Sequence, residues 1–220
     1  MNSLIKPDYF KTWRSMLDID IQKEFSVIEQ IKLEPHSFTF YTSVSVMSSS
    51  KIEGEEMEVD SYVKHKILNV EYLPELIEKP NDLYNAYLFA RESPLNPDNF
   101  LHAHSLIAAH LLPENQRGAI RKTEMLTMEH KTGRIQYEAA PLSMIKDSYS
   151  AMWHEIEILL KQELTVEEIL YYASFIHLVF VNIHPFSDGN GRISRLLEKW
   201  FLAEKLGERA YNRKNIIISM

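Results

Sequence analysis

The sequence predicts an all-α protein, a helical bundle carrying one small β-hairpin, and three observations support that prediction. First, Ile193, Leu196, Leu197, Trp200 and Phe201 recur at helical spacing, and Gly207 follows where a C-terminal cap glycine belongs. Second, Thr165 and Glu168 form the Thr-x-x-Glu capping box of an apolar helix that runs towards Asn182 and is stopped by Pro185. Third, helical spacing disappears between Gly118 and Pro141, where residues 125–128 and 134–137 flank Lys131-Thr132-Gly133 in the manner of a hairpin. A two-stranded hairpin is marginal alone, so this one should lean on the helices or on a ligand, as a flap over a site would.

The remaining elements follow in order. A helix is expected around residues 9–17. Residues 38–47, rich in Val, Thr and Tyr, favour a strand by propensity. From Ser48 the pattern becomes three serines followed by Lys51-Ile52-Glu53-Gly54-Glu55-Glu56, which reads as a capped, acidic helix start over about 48–60, weakened by Gly54. Helical segments are expected at 61–70, 81–92 and 97–111, with Pro80, Pro94, Pro97 and Pro113 as punctuation. The chain therefore divides into an N-terminal helical region, 1–95, and a core, 96–220.

Composition narrows the function classes. At 220 residues, with 45% hydrophobic and 25% charged residues, the chain suits one globular domain with a helical extension. A net charge of −7 without a dense Lys/Arg run lacks the electrostatic footprint of a general nucleic-acid binder. The absence of cysteine excludes disulfides, thiol catalysis and thiolate metal sites, and fits a reducing compartment, so a cytoplasmic location is expected. The first residues do not read as a secretory signal. The most apolar stretch, 169–183, contains Ser174, His177 and Asn182 and is shorter than the roughly 20 residues of a membrane span, so it reads as a buried helix.

The chemistry concentrates in residues 184–195, His-Pro-Phe-Ser-Asp-Gly-Asn-Gly-Arg-Ile-Ser-Arg. Gly189-Asn190-Gly191 stands where the last helix must begin, so unpaired N–H groups and the positive end of the macrodipole face outward. The glycines permit close approach by a phosphate. Arg192 and Arg195 share one face of the first turn, and their guanidinium forks match phosphate oxygens. Asp188 offers a hard oxygen ligand for Mg²⁺, or alternatively a helix cap. His184 ends the preceding helix facing the loop, and its imidazole titrates near neutral pH, which suits a general base. Phe186 anchors the loop in the core and Pro185 fixes the turn. His102 and His104, two apart, fall on different faces of a helix and do not form a metal site.

As a whole, residues 184–195 resemble the signature of the Fic family (filamentation induced by cAMP), His-x-Phe-x-Asp/Glu-Gly-Asn-Gly-Arg-x-x-Arg, with every fixed position matched. The resemblance implies a Fic-fold helical core and transfer of AMP from ATP, with Mg²⁺, to a Ser, Thr or Tyr hydroxyl of a target protein. It implies His184 as base, Asp188 as metal ligand, and Asn190 with the flanking amides of Gly189 and Gly191 on the α- and β-phosphates. Arg192 and Arg195 would hold the β- and γ-phosphates. Gly118-Ala119-Ile120-Arg121, the hairpin and Tyr137-Glu138-Ala139-Ala140-Pro141 look like the family's target-docking flap. An extended target segment could pair there by main-chain hydrogen bonds. Residues 208–220 follow Gly207 where relatives often continue with further helices or a DNA-binding module, which leaves open how complete the core is and whether the chain forms a homodimer.

Ser49-Ser50-Lys51-Ile52-Glu53-Gly54 matches the family's inhibitory motif, Ser/Thr-x-x-x-Glu-Gly/Asn, placed N-terminal to the core. Ser50 and Glu53 also satisfy a plain capping box. The resemblance implies that Glu53 pairs with Arg195 and so restrains the enzyme; in some relatives the same glutamate aligns water for removal of AMP. Alternatives are another nucleotidyl, phosphoryl or phosphocholine transfer on the same scaffold, a regulatory module that binds nucleotide without turnover, and a helical protein whose polar loop is merely a turn.

Overall fold

The computed structural model describes residues 3–30, 36–128 and 135–207, and within them the protein is an all-α bundle. A 3₁₀ turn at Pro7–Tyr9 leads into α1 (Phe10–Ser15), followed by α2 (Ile21–Glu29) and α3 (Ser37–Ile52). Next come α4 (Val59–Leu68), α5 (Pro74–Glu92) and α6 (Pro97–Ile107). Two short strands, β1 (Leu126–Met128) and β2 (Ile135–Glu138), precede α7 (Leu142–Lys161), α8 (Val166–Ile183) and α9 (Asn190–Leu206). The strands pair antiparallel, with Leu126 opposite Glu138 and Thr127 opposite Tyr137, and the register shifts before the Met128–Ile135 pair. The expected turn at Lys131-Thr132-Gly133 and the tail from 208 lie outside the described residues.

Helices α8 and α9 form the central pair. The capping box on α8 is present as the sequence predicts, Thr165 accepting from the Glu168 N–H and Glu168 accepting from the Thr165 N–H. Leu196, Leu197, Trp200 and Phe201 of α9 are buried, as are Ile176, Phe180 and Ile183 of α8. The core continues without interruption through Phe100 and Ile107 of α6, Leu83 and Tyr87 of α5, and Val46 and Met47 of α3, so residues on both sides of position 95 share it. By length and composition alone α8 could cross a membrane. Here α1, α2 and α7 pack against it alongside α9; Phe10 and Trp13 of α1 make ring contacts with its Tyr171.

Three local expectations are corrected. Residues 38–47 are helical, within α3. Their β propensity is outweighed by burial, because α3 lies among α4, α5 and α9, and Thr42 through Met47 are all buried. Pro80 does not punctuate: it sits inside α5, where the loss of one backbone hydrogen bond is offset by the burial of Leu83, Ala86, Tyr87 and Ala90. Finally, residues 48–52 are the end of α3 and not the start of the next helix. Gly54, at φ +92°, and Glu55 donate their N–H groups to the carbonyls of Lys51 and Ser50, which is a Schellman closure around Glu53 at the C-cap. The capping box between Ser50 and Glu53 is therefore not formed, and the Ser50 hydroxyl is buried with no hydrogen-bond partner among the described residues.

Candidate active site

Helix α8 ends at Ile183, and His184 caps it in the left-handed conformation at φ +51°. A non-glycine residue there costs of the order of 1 kcal/mol and needs a surrounding framework to hold it. Arg121 supplies much of that framework. Its buried guanidinium donates from Nε to the His184 carbonyl at 2.8 Å, from Nη1 to Thr123 O at 2.6 Å and from Nη2 to Ala140 O at 2.5 Å, while its backbone N–H donates to Pro185 O at 2.8 Å. One side chain thus ties the loop after α8 to both stems of the hairpin.

Below the loop, Phe186 is fully buried, packs near Phe100 and Phe180, and stacks on the His104 ring at a centroid distance of 3.6 Å. His104 accepts from the Gly118 N–H through Nδ1 at 2.9 Å, so its Nε2 carries the proton and donates to the Asp188 carbonyl at 3.0 Å. Burial lowers its pKa to about 4, which keeps the ring neutral in this bridging role. Gly118 cannot be replaced without disturbance, since its φ is +65° and a Cβ would lie 2.6 Å from the Leu101 carbonyl oxygen.

Asn190, expected to contact phosphate, has its side chain engaged within the loop. Oδ1 accepts from the Phe186 N–H at 3.0 Å and Nδ2 donates to the Phe186 carbonyl at 2.7 Å, so the amide staples 186 to 190 and its buried groups are satisfied. Gly189 starts α9 at φ +78°, and its N–H donates to Asp188 Oδ1 at 2.6 Å. Asp188 is exposed beside this helix start. No group of three or more His, Cys, Asp or Glu residues able to hold a metal ion occurs among the described residues. Any cation at Asp188 would need most of its ligands from a bound phosphate group and water, which is how Mg²⁺ is commonly held.

His184 itself is half-buried, and its pKa is lowered, first by burial, with a hydrogen bond to the Val181 backbone acting in the opposite direction. The neutral imidazole, the form that can accept a proton, is accordingly favoured at neutral pH.

The helix start already faces a carboxylate. Arg195 Nη2 donates to Glu53 Oε1 at 2.5 Å, Nε donates to the Ser49 hydroxyl at 2.7 Å, and Nη2 also reaches the Ser49 carbonyl at 3.3 Å. The pair is only 13% and 28% exposed. Glu53 approaches so closely that a Cβ at Gly191 would lie 2.4 Å from its Oε1. The glycine that the sequence suggests would admit a phosphate admits this carboxylate. Arg192 does not join Arg195: its Nη2 contacts Glu55 Oε1 at 3.2 Å.

Sequence reasoning placed His184, Phe186, Asp188, Gly189, Asn190, Gly191, Arg192, Arg195, Ser49, Glu53 and Gly54, and the fold brings all of them around the start of α9. It missed His104 as a positioning residue, although Phe100, Ala103 and Ile107 place His104 on the apolar face of its helix. Arg121 was noted only within a motif, and Glu55 gave no local signal of its contact with Arg192.

Comparison with known proteins agrees with this geometry. A model of the Fic/DOC family matches residues 94–202. The protein adenylyltransferase Fic of Culex quinquefasciatus is 31% identical over 113 residues, 51% of this chain but only 20% of that longer protein. A Fic family protein from Desulfovibrio desulfuricans superposes with a TM-score of 0.67 at 18% identity, covering 92% of this chain and 57% of that one. A Fic-1 fragment from C. elegans superposes with a TM-score of 0.63 at 17% identity, covering 90% and 57%. At these identities the solved structures establish the shared fold, while the family match spans His184, the loop and its arginines. The chain belongs to the Fic/DOC family.

Proposed function

We propose that the protein is an ATP-dependent protein adenylyltransferase held in a restrained state by Glu53. The observation that carries this reading is the Glu53 carboxylate seated on Arg195 and against Gly191, the place where an anion-binding helix start would receive phosphate oxygens. A carboxylate at the C-cap of its own helix is electrostatically misplaced, since that end of the macrodipole is negative. The positive start of α9 and Arg195 compensate it, which makes Glu53 a stand-in for the anion that the site is built to bind.

In the reaction, His184 takes the proton from a target Ser, Thr or Tyr hydroxyl. The oxygen forms a bond to the α-phosphorus of ATP, the bond to the β-phosphate oxygen breaks, and pyrophosphate leaves. The first-turn amides of α9 and Arg195 stabilise the charge on the phosphates. Mg²⁺ held by Asp188 and phosphate oxygens would neutralise charge on the departing pyrophosphate. The hairpin, tied to the loop through Arg121, is the surface on which an extended target segment would dock.

Glu53→Gly is expected to raise transfer of label from α-labelled ATP to protein at least tenfold over wild type, and Glu53→Gly combined with His184→Ala to abolish it. Label transferred only from γ-labelled ATP would indicate kinase chemistry instead. ATP binding without transfer in Glu53→Gly would indicate a regulatory nucleotide-binding module.

A further inference from the structure

Glu53 is not the only carboxylate that the 53–55 segment presents to α9. Glu55 Oε1 lies 3.2 Å from Arg192 Nη2 and 3.0 Å from Lys79 Nζ on α5, so one oxygen bridges two cations. Arg192 is 5% exposed and Glu55 is 13% exposed. Lys79 reaches this pair from a side chain 40% exposed, while the buried Arg192 Nε has no hydrogen-bond partner among the described residues. A guanidinium carries five donors, and a buried one with an unfilled Nε is short of acceptor oxygens. A polyphosphate, with several oxygens and more than one charge, would supply what a single shared carboxylate does not.

Glu53 and Glu55 flank Gly54, whose φ of +92° turns the chain sharply at the end of α3. Both side chains reach the N-terminal two turns of α9, one on Arg195 and the other on Arg192. We propose that Glu55 is a second arm of the restraint. It withholds Arg192 and Lys79 from the polyphosphate end of the nucleotide, so that displacement of one short segment releases three cations together. This rests on the reading of the site as a nucleotide site restrained by Glu53, and it adds two residues, Glu55 and Lys79, that the signature motifs do not contain. Lys79 then serves as a third positive group for the phosphates, contributed by α5 and outside the catalytic loop.

The test is the affinity for ATP with Mg²⁺, measured by calorimetry on the full chain, beside transfer from α-labelled ATP. Glu55→Gln should lower the Kd for ATP about tenfold on its own. Added to Glu53→Gly, it should raise transfer further than Glu53→Gly alone, and Lys79→Met in that double variant should weaken ATP binding severalfold. Should Glu55→Gln fail to fold, Glu55→Asp draws the carboxylate back by one methylene, keeps the charge, and should give an intermediate gain in affinity. Unchanged or weaker ATP binding in the Glu55 variants, while Glu53→Gly tightens binding and raises transfer, would overturn the second arm and leave the proposed function standing. If Glu53→Gly neither tightens binding nor raises transfer, the reading of Glu53 fails. Tighter ATP binding by Glu55→Gln supports the second arm whatever the transfer assay gives.

Discussion

Gly191 shows how much of this site rests on a single missing side chain. It lies in the first turn of α9 without a positive φ, so alanine would be conformationally acceptable there and even favoured in a helix by up to about 1 kcal/mol. The obstacle is space, because a methyl group would sit 2.4 Å from Glu53 Oε1 and 3.2 Å from Arg195 Nη1. Glu53 is the flexible end of a side chain and can retreat, whereas a phosphate bound to the helix start cannot retreat and remain bound. Gly191→Ala is therefore expected to change global stability by less than about 1 kcal/mol. It should weaken ATP binding at least tenfold, about 1.4 kcal/mol. Thermal unfolding and calorimetry on the same preparation separate the two effects; unimpaired ATP binding would remove the helix start as the phosphate site.

Among the elements, α3 and the hairpin are joined to the 184–195 segment by different means. Between α3 and α9 two serines meet cations, Ser45 contacting Lys199 and Ser49 contacting Arg195. Burial lowers the Lys199 pKa to about 8. A seam of serine hydroxyls and buried cations is a weaker interface than packed leucines, since each charge gives up hydration on burial. On the proposed restraint by Glu53, that suits a helix end that lets go of the site. The hairpin is joined to the loop by Arg121, whose three carbonyl partners belong to three different segments. Its 3.9 Å approach to the exposed Glu124 adds little. Arg121→Met keeps the apolar stem and removes the donors, leaving the carbonyls unpaired, so a loss of about 2–4 kcal/mol in urea unfolding is expected. In the Glu53→Gly background, transfer should fall more than tenfold even where the chain remains folded, because the left-handed His184 loses its clamp. Full activity in that folded variant would make Arg121 a stability residue only.

Across the whole molecule, buried histidines tie stability to pH. The His104 pKa falls from 6.5 when unfolded to about 4 when folded, so the unfolded chain binds the proton more readily between those values. The contribution is complete above pH 6.5, declines as pH falls, and is fully lost near pH 4, a total of about 3 kcal/mol at 1.36 kcal/mol per pH unit. His184 shifts in the same direction, whereas burial raises the Asp82 carboxyl and gives the opposite slope. Denaturant unfolding at pH 7.5 and pH 5 should show the wild type losing about 2 kcal/mol more than His104→Gln between the two conditions. Parallel losses in the two proteins would mean that His104 titrates normally.

What the sequence by itself determined is local. The capping box at Thr165, the end of α8 before Pro185, the start of α9 at the glycines and its stop at Gly207 follow from groups within a few residues of one another. The polar loop between them was legible for the same reason, with His184, Asp188, Arg192 and Arg195 spaced three or four residues apart. The tertiary structure decided whatever depends on partners distant in the chain. It made 38–47 helical, because burial on several sides outweighs the β propensity of Val and Thr. It turned the serine-rich segment from a helix start into a helix end, because Gly54 closes α3 with a Schellman bond pattern that a capping-box match cannot distinguish. It kept Asn190 for the loop, gave Arg192 to Glu55, and brought Glu53 across 142 positions of sequence to Arg195. A carboxylate finds its guanidinium by proximity in space, and that proximity is a property of how α3 packs on α9.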